Sequence, residues 1–235
     1  MLKNQVISLY DYTGVAVTPW ANAGYECFCY DIQHPEEGRT ELTEYGGVIH
    51  YLRLDLHDYS FIGELAEKHG ERAAFMFAFP VCTDLAVSGA AHFKRKAEKN
   101  PQFQMEAASH AVACSMLGDA LGVPYLIENP VSVLSTLWRK PDYSFQPFEY
   151  GGYIAPTEAE HPLYPDYIAP RDAYSKKTCL WTGGGFRMPK TQPVDCESFG
   201  SSTQHRKLGG KSTKTKNIRS ATPRGFANAV FMYNA

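Results

Sequence analysis

The 235 residues include 44% hydrophobic and 20% charged side chains, enough apolar surface for one buried core and too much for a disordered chain. No apolar run approaches the roughly 18 residues that cross a bilayer, and the N-terminal MLKNQVISLYDYTG lacks the features of a secretory leader, so a cytoplasmic chain without a membrane partner is expected, its six cysteines thiols. The net charge of −2 is uneven: seven cations and no acid follow Glu197, leaving −9 on residues 1–197, and this basic tail suits either a polyanionic partner or a solvated face.

In chain order, VISLY (6–10) reads as a buried strand, followed by a turn at DYTG and a helix ending near Ala23-Gly24. YECFCYD (25–31) is a second strand closing on Asp31, and IHYLRLD (49–55) an alternating one closing on Asp55. YSFIGELAEKHG (59–70) has helical spacing, with Gly70 as its stop. AAFMFAF (73–79) is too apolar and too short for a surface helix, so it reads as a central parallel strand. In PQFQMEAASHAVACSMLGDALG (101–122), Phe103, Ala107, Ala111, Cys114, Leu117 and Leu121 share one helical face, and Gly122 ends it. VPYLI (123–127) is the next strand, finishing on Glu128, and TCLW (178–181) another. Residues 139–176, with six prolines, read as mostly irregular, and 182–217 as a long basic loop rich in Gly, Ser, Thr and Lys.

Strands alternating with helices imply right-handed crossovers and a single α/β domain over 1–235, built on a mostly parallel, doubly wound sheet. Ligands of such sheets bind at the carboxyl ends of the strands. The residues placed there are Tyr10-Asp11, Asp31, Asp55, Cys82 and Glu128.

Asp31 lies 21 residues after Tyr10, where a nucleoside-binding α/β fold carries its ribose acceptor. The intervening turn keeps only Gly14, with Tyr12 at a glycine position, so an ordinary strand–helix turn is the competing reading. Asp55 suits an adenine amino group or an exposed turn equally. Cys82 in FAFPVCTDLAVSG (77–89) and Glu128 pair a thiol with a carboxylic acid at neighbouring strand ends. A thiolate attacking an electron-poor ring, with the acid hydrogen-bonded to a ring nitrogen, is covalent plus acid catalysis. Taken alone, Cys82 reads as a small buried hydrophobe. Cys27 and Cys29 point to one face of their strand without a second ligand pair, so they read as core and no metal is expected. His92 and His110 read as helix-face residues.

FPVCTDLAVSG resembles the Pro-Cys nucleophile motif of the cytosine-C5 DNA methyltransferases, and IENP (127–130) their Glu-Asn motif. LYDYTGVAVTPWANAGYECFCYD (9–31) resembles their first S-adenosylmethionine motif, SKKTCLW (175–181) their later basic motif, and GFANAV (225–230) the last, cofactor-side motif. The chain looks most similar to small phage-type members, in which case the cytoplasm is that of the host cell. The resemblance implies a Rossmann-like domain that methylates C5 of cytosine in DNA through a Cys82 adduct. Glu128 would act at N3, Asn129 would order the site, and Lys177 would supply a cation. S-adenosylmethionine would be the cofactor, held by Tyr10, Gly14, Asp31, Asp55 and Asn228. The sequence departs from the family at Tyr12 for glycine, Thr83 for glutamine, Pro130 for valine, and Lys176 and Lys177 for arginines. The interval that holds a target-recognition domain in the family is here only the basic stretch 182–217.

Three readings follow: a compact methyltransferase acting on duplex or single-stranded DNA, the same chemistry on a free cytosine nucleotide, or a non-catalytic module that binds nucleic acid or cofactor.

Overall fold

The computed structural model describes residues 2–196, 208 and 212–235. Their strands form one sheet of eight, ordered β3-β4-β2-β1-β5-β6-β8-β7. These are β1 (Gln5–Leu9), β2 (Glu26–Tyr30), β3 (Arg39–Leu42), β4 (Val48–Leu52), β5 (Ala73–Ala78), β6 (Tyr125–Pro130), β7 (Tyr143–Phe145) and β8 (Thr178–Gly183). The five strands β4-β2-β1-β5-β6 are parallel, which is the 3-2-1-4-5 order of a doubly wound nucleotide-binding sheet. The α/β, Rossmann-like class read from the sequence is the class observed. The topological switch falls between β1 and β5, where the connections turn to opposite sides.

Strand β8 was read from TCLW, but its antiparallel direction, and β3 and β7 altogether, were not legible in this pattern. β3 pairs antiparallel with β4, and β8 runs antiparallel between β6 and β7. Because β8 pairs with β6 as far as Pro130, Glu128 and Asn129 lie inside a strand rather than beyond its end.

Each sheet face is covered. Helices α2 (Phe61–His69) and α4 (Phe103–Leu121) pack on one face, with Phe61, Leu65, Ala111, Cys114 and Leu117 against Ile7, Met76 and Ile127. Gly122 ends α4 at φ 62, a left-handed position that glycine takes without a Cβ clash. Helix α1 (Thr18–Asn22) packs on the other face with the C-terminal helix α7 (Arg224–Asn234), through Trp20, Phe226 and Val230 against Val6, Phe75 and Leu180. Period-2 alternation in β1, β5 and β6 therefore feeds two cores, as expected of strands buried on both faces.

Three short helices complete the frame: α3 (Phe93–Lys99), α5 (Leu134–Leu137) and α6 (Thr213–Ser220). Ser212 caps α6 by accepting from the Thr215 amide at 3.2 Å. Of the stretch 182–217, Thr182 and Gly183 finish β8 and 213–217 belong to α6, while 197–207 and 209–211 lie outside the described residues. Among the described residues no helix is long and apolar enough to cross a membrane.

Candidate active site

Two recesses open at the carboxyl end of the sheet, and the chain that follows β5 separates them. The first, an open cleft, is lined by Tyr10 after β1, Asp31, Ile32 and Gln33 after β2, Leu54, Leu56 and His57 after β4, and Val81 after β5. It sits at the switch point, where neighbouring loops diverge and leave a crevice. Tyr10 leaves β1 at φ 57, an uncommon conformation for a non-glycine residue, and its hydroxyl donates to the Leu56 carbonyl at 3.0 Å. Asp31 is buried; its Oδ1 accepts from the Gln33 amide at 2.8 Å. The cleft thus offers apolar walls with one carboxylate among them.

Of the other residues expected around a cofactor, Asp55 flanks the cleft with a side chain 58% exposed and turned to His57, Oδ1 to Nδ1 at 3.1 Å. The His57 amide, and then its imidazole, hold the Asp55 carboxyl below the usual carboxylate range. Gly14 does not line the cleft. It is buried at φ 70, and a Cβ there would meet the Tyr51 hydroxyl at 2.4 Å, so its role is a left-handed turn beneath an aromatic ring. Asn228 on α7 donates to the Tyr153 carbonyl at 2.9 Å and lines neither recess.

The second recess is narrower. Phe77, Phe79, Leu126, Phe145 and Phe226 form its apolar walls, Ser220 to Pro223 close one side, and Glu128 and Lys176 are its ionisable residues. Parallel pairing of Ala78 with Ile127 brings the ends of β5 and β6 side by side, and Asn129, 1% exposed, locks them by donating to the Pro80 carbonyl at 3.1 Å. Beyond Cys82 the loop is stitched to the segment after β6, Val87 N to Val131 O at 3.1 Å and Val133 N to Leu85 O at 3.0 Å. Cys82 is held between these fastenings.

The electrostatics tie Cys82, Glu128 and Lys176 into one group. Burial pushes the Cys82 thiol up, the Glu128 carboxylate pushes it further, and the Lys176 ammonium opposes both. Burial likewise raises Glu128, with Lys176 opposing. A raised carboxyl holds its proton and can donate it to a ring nitrogen. Glu128 Oε1 is buried without a hydrogen-bond partner and is, among the described residues, the one such atom on the recess, free to meet a polar ring there. Lys176, whose Nζ also donates to the Arg219 carbonyl at 2.9 Å, occupies the position read from sequence as that of Lys177. Lys177 is exposed, its charge felt by Cys179. In extended chain approaching β8, adjacent side chains point to opposite sides, so only one of the two lysines can face Glu128.

No family model matches the chain, and no curated protein matches it. Among solved structures it is similar to a prophage-encoded E. coli protein assigned as a DNA modification methyltransferase, at 13% identity and a TM-score of 0.42 over 83% of this chain and 53% of that one. It is also similar to an NADH-dependent reductase complexed with NAD, at 14% identity and a TM-score of 0.29 over 50% of this chain and 56% of that one. The chain spans about half the length of each. Likeness at this level carries no argument about chemistry; the residues have to.

Sequence reasoning passed over His57, placed Asp11 at the end of the first strand without a role of its own, and read His110 as a helix-face residue. Asp11 is 4% exposed and accepts from the Thr13 and Gly14 amides, which the Asp-x-Thr-Gly order signals as a side-chain-capped turn. His110, on α4, packs against the cleft wall, its ring 4.5 Å from that of His57 and 6.5 Å from that of Tyr10, and burial, followed by the His57 imidazole, holds it below its usual value. Among the described residues no group of three His, Cys, Asp or Glu is placed to hold a metal ion.

Proposed function

We propose that the chain transfers a methyl group from S-adenosylmethionine to C5 of cytosine in DNA through a covalent adduct on Cys82. One observation carries the reading. Glu128 and Lys176 line one recess and Val81 walls the Tyr10–Asp31 cleft, while Cys82, next to Val81, lies on the loop that Asn129 and the Leu85–Val133 bond fasten beside β6. An acid at one recess, a cleft with a ribose acceptor at the next and a thiol on the loop after β5 are what a two-substrate transfer to a ring requires.

The cleft suits the adenosine part of the cofactor: Leu54, Leu56 and Val81 offer apolar contact, and Asp31 an acceptor for ribose hydroxyls. When bound, S-adenosylmethionine supplies an electrophilic methyl group. The protein's own part is to make C5 nucleophilic. The Cys82 thiolate adds to C6, Glu128 gives or shares its proton at N3, and the electron pair of the C5–C6 bond moves to C5. Once C5 carries its methyl group, loss of the C5 proton re-forms the double bond and expels Cys82. Lys176 favours the thiolate against the burial that opposes it. Asn129 holds the nucleophile loop by its bond to Pro80. A base in a duplex has first to leave the stack, at a cost of a few kcal/mol.

The test is incubation with labelled S-adenosylmethionine and duplex DNA, single-stranded DNA or dCMP, followed by nucleoside analysis. Label in 5-methylcytosine from either DNA supports the proposal. Label only in the mononucleotide moves the same chemistry to a free nucleotide, and no labelled pyrimidine with any substrate contradicts it.

A further inference from the structure

The Glu128 recess is smaller than the base that the proposed function brings to it. It has room for about one water molecule, so a wall has to give before a pyrimidine ring enters. Most of the walls are fixed. Phe77, Leu126, Glu128 and Phe145 stand on strands of the sheet and Phe226 on α7, while the Phe79 amide donates to the Leu9 carbonyl at 3.0 Å. What remains is Lys176 and the run Ser220 to Pro223, which ends α6 and links it to α7. Ile218 of α6 and Ala221 of the link pack with Ile168, Ala169 and Tyr174 in a small apolar cluster, separate from the cores on the two sheet faces. The helix can therefore shift without opening either core. Two hydrogen bonds latch it to the recesses: Lys176 Nζ donates to the Arg219 carbonyl at 2.9 Å, and Asn217 Nδ2 to Oε1 of Gln33, a residue of the Tyr10–Asp31 cleft, at 3.2 Å. The outer face of α6 is cationic. Lys216 and Arg219, three residues apart, share its exposed side, Lys214 flanks them, and the helix has no acidic residue.

We infer that α6 and the Ser220–Pro223 link form a door over the Glu128 recess, latched by Asn217 and Lys176, whose outer face grips the phosphates of the DNA strand that delivers the base. The inference rests on the reading of DNA as the substrate. Lys214, Lys216 and Arg219 reach solvent whether the door is closed or open, so backbone contact does not depend on its position. The latches exist only when it is closed. A base that enters the recess displaces the link and breaks the Asn217–Gln33 bond, whereas a backbone without a base leaves that bond intact. Contact with DNA and admission of the base are thus two separate steps carried by one helix.

Two single-stranded oligodeoxyadenylates test the point, one carrying a single cytosine and the other an abasic site in its place. Fluorescence anisotropy over a range of salt gives the affinity of the full chain for each. Asn217→Ala removes one latch and is expected to raise the preference for cytosine over the abasic site about fivefold, the contribution of a single hydrogen bond, with abasic affinity unchanged. Lys216→Ala, on the exposed side, is expected to weaken binding of both by the same factor and to lower the salt slope by about one. An unchanged cytosine preference in folded Asn217→Ala overturns the inference, and so does unchanged affinity in Lys216→Ala. Should Asn217→Ala fail to fold, hydrogen exchange of the parent decides: the peptide spanning Ser220–Pro223 is expected to exchange faster with the cytosine oligonucleotide than with the abasic one, and equal exchange overturns the door. Methyl transfer is not measured, so a parent that methylates cytosine and fails these tests loses the door and keeps its function. A parent that binds neither oligonucleotide removes the inference together with the DNA reading.

Discussion

Glu128 is a buried carboxyl whose proposed role as an acid runs against stability. Its Oε1 is sealed and unpartnered, and burial raises its carboxyl above the ordinary 4.5. A carboxyl with a raised folded-state pKa loses stability as pH rises from its unfolded value through the folded one, because ionisation is easy in the hydrated unfolded chain and opposed by desolvation in the folded one. Below pH 4.5 both states are protonated and the cost vanishes. Glu128→Gln is therefore expected to raise stability at pH 8 by about 1 kcal/mol, with the gain shrinking as pH falls toward the carboxylate range, while methyl transfer is lost. Urea titrations at several pH values check the first part. A variant less stable than the parent at pH 8 would mean that the carboxylate is paired after all. At this scale the sequence placed Asp31 and Cys82 where they stand, after the apolar strands β2 and β5, and Glu128 on β6, though within the strand and not at its end. It was not legible for the choice between Lys176 and Lys177, since extended backbone alternates its side chains and nothing in two adjacent lysines sets the phase. Gly14 misled for another reason: its positive φ serves the packing of Tyr51, not a ligand.

The elements are joined by close approaches that sequence patterns do not display. Gly118 in α4 and Gly183 in β8 press on opposite parts of the Tyr125 ring; a Cβ on either would come within 2.3 Å of it. In an exposed helix Gly→Ala gains about 1 kcal/mol. Here overpacking, typically 1–3 kcal/mol, opposes that gain, because the new Cβ would overlap the ring of buried Tyr125. Gly118→Ala is expected to destabilise the fold by about 1–2 kcal/mol, read as a lower denaturant midpoint at unchanged slope. A midpoint at or above that of the parent would show that α4 can move away from β6. The helix α4 and strands β1, β2 and β5 were legible within a residue or two because their periodicity is strong. β3 was not, as all four of its residues are exposed and carry no apolar alternation. β6 was read short, since the antiparallel partner that extends it through Pro130 arrives some fifty residues later.

Across the whole molecule, polar groups buried between layers set how the fold responds to acid. His69 at the end of α2 reaches under the sheet, with Nε2 2.8 Å from the Tyr30 hydroxyl and Nδ1 3.0 Å from Gln5 Oε1. The Gln5 amide nitrogen is committed to Glu26, so its oxygen faces Nδ1, and the neutral imidazole fits both contacts. Burial lowers His69 from 6.5 to about 4. For a histidine with a depressed folded-state pKa, the stability tied to the neutral form is complete above pH 6.5 and is lost as pH falls toward 4, at up to about 1.4 kcal/mol per pH unit. His69→Gln removes that proton deficit, so the stability gap between parent and variant is expected to be widest at pH 7.5 and to narrow by pH 5. A gap constant over that range would mean that His69 titrates normally. The doubly wound architecture was legible because alternating strands and helices leave few arrangements. What was not legible is how the sheet's far side is built, where 139–176 supplies β7 and short helical turns whose order depends on tertiary contacts rather than local pattern.

The central claim concerns one bond, between Cys82 and C6 of cytosine. An oligonucleotide carrying 5-fluorocytosine, incubated with the protein and S-adenosylmethionine, tests it most directly, because fluorine at C5 cannot leave as the proton does and the final elimination stops. Peptide mass spectrometry is expected to find the oligonucleotide joined to Cys82 in the parent and no adduct in Cys82→Ser, a replacement of similar size whose hydroxyl is far less ionised near pH 7. Cys82→Ser that methylates unmodified cytosine as well as the parent, or an adduct on any other residue, would contradict the account.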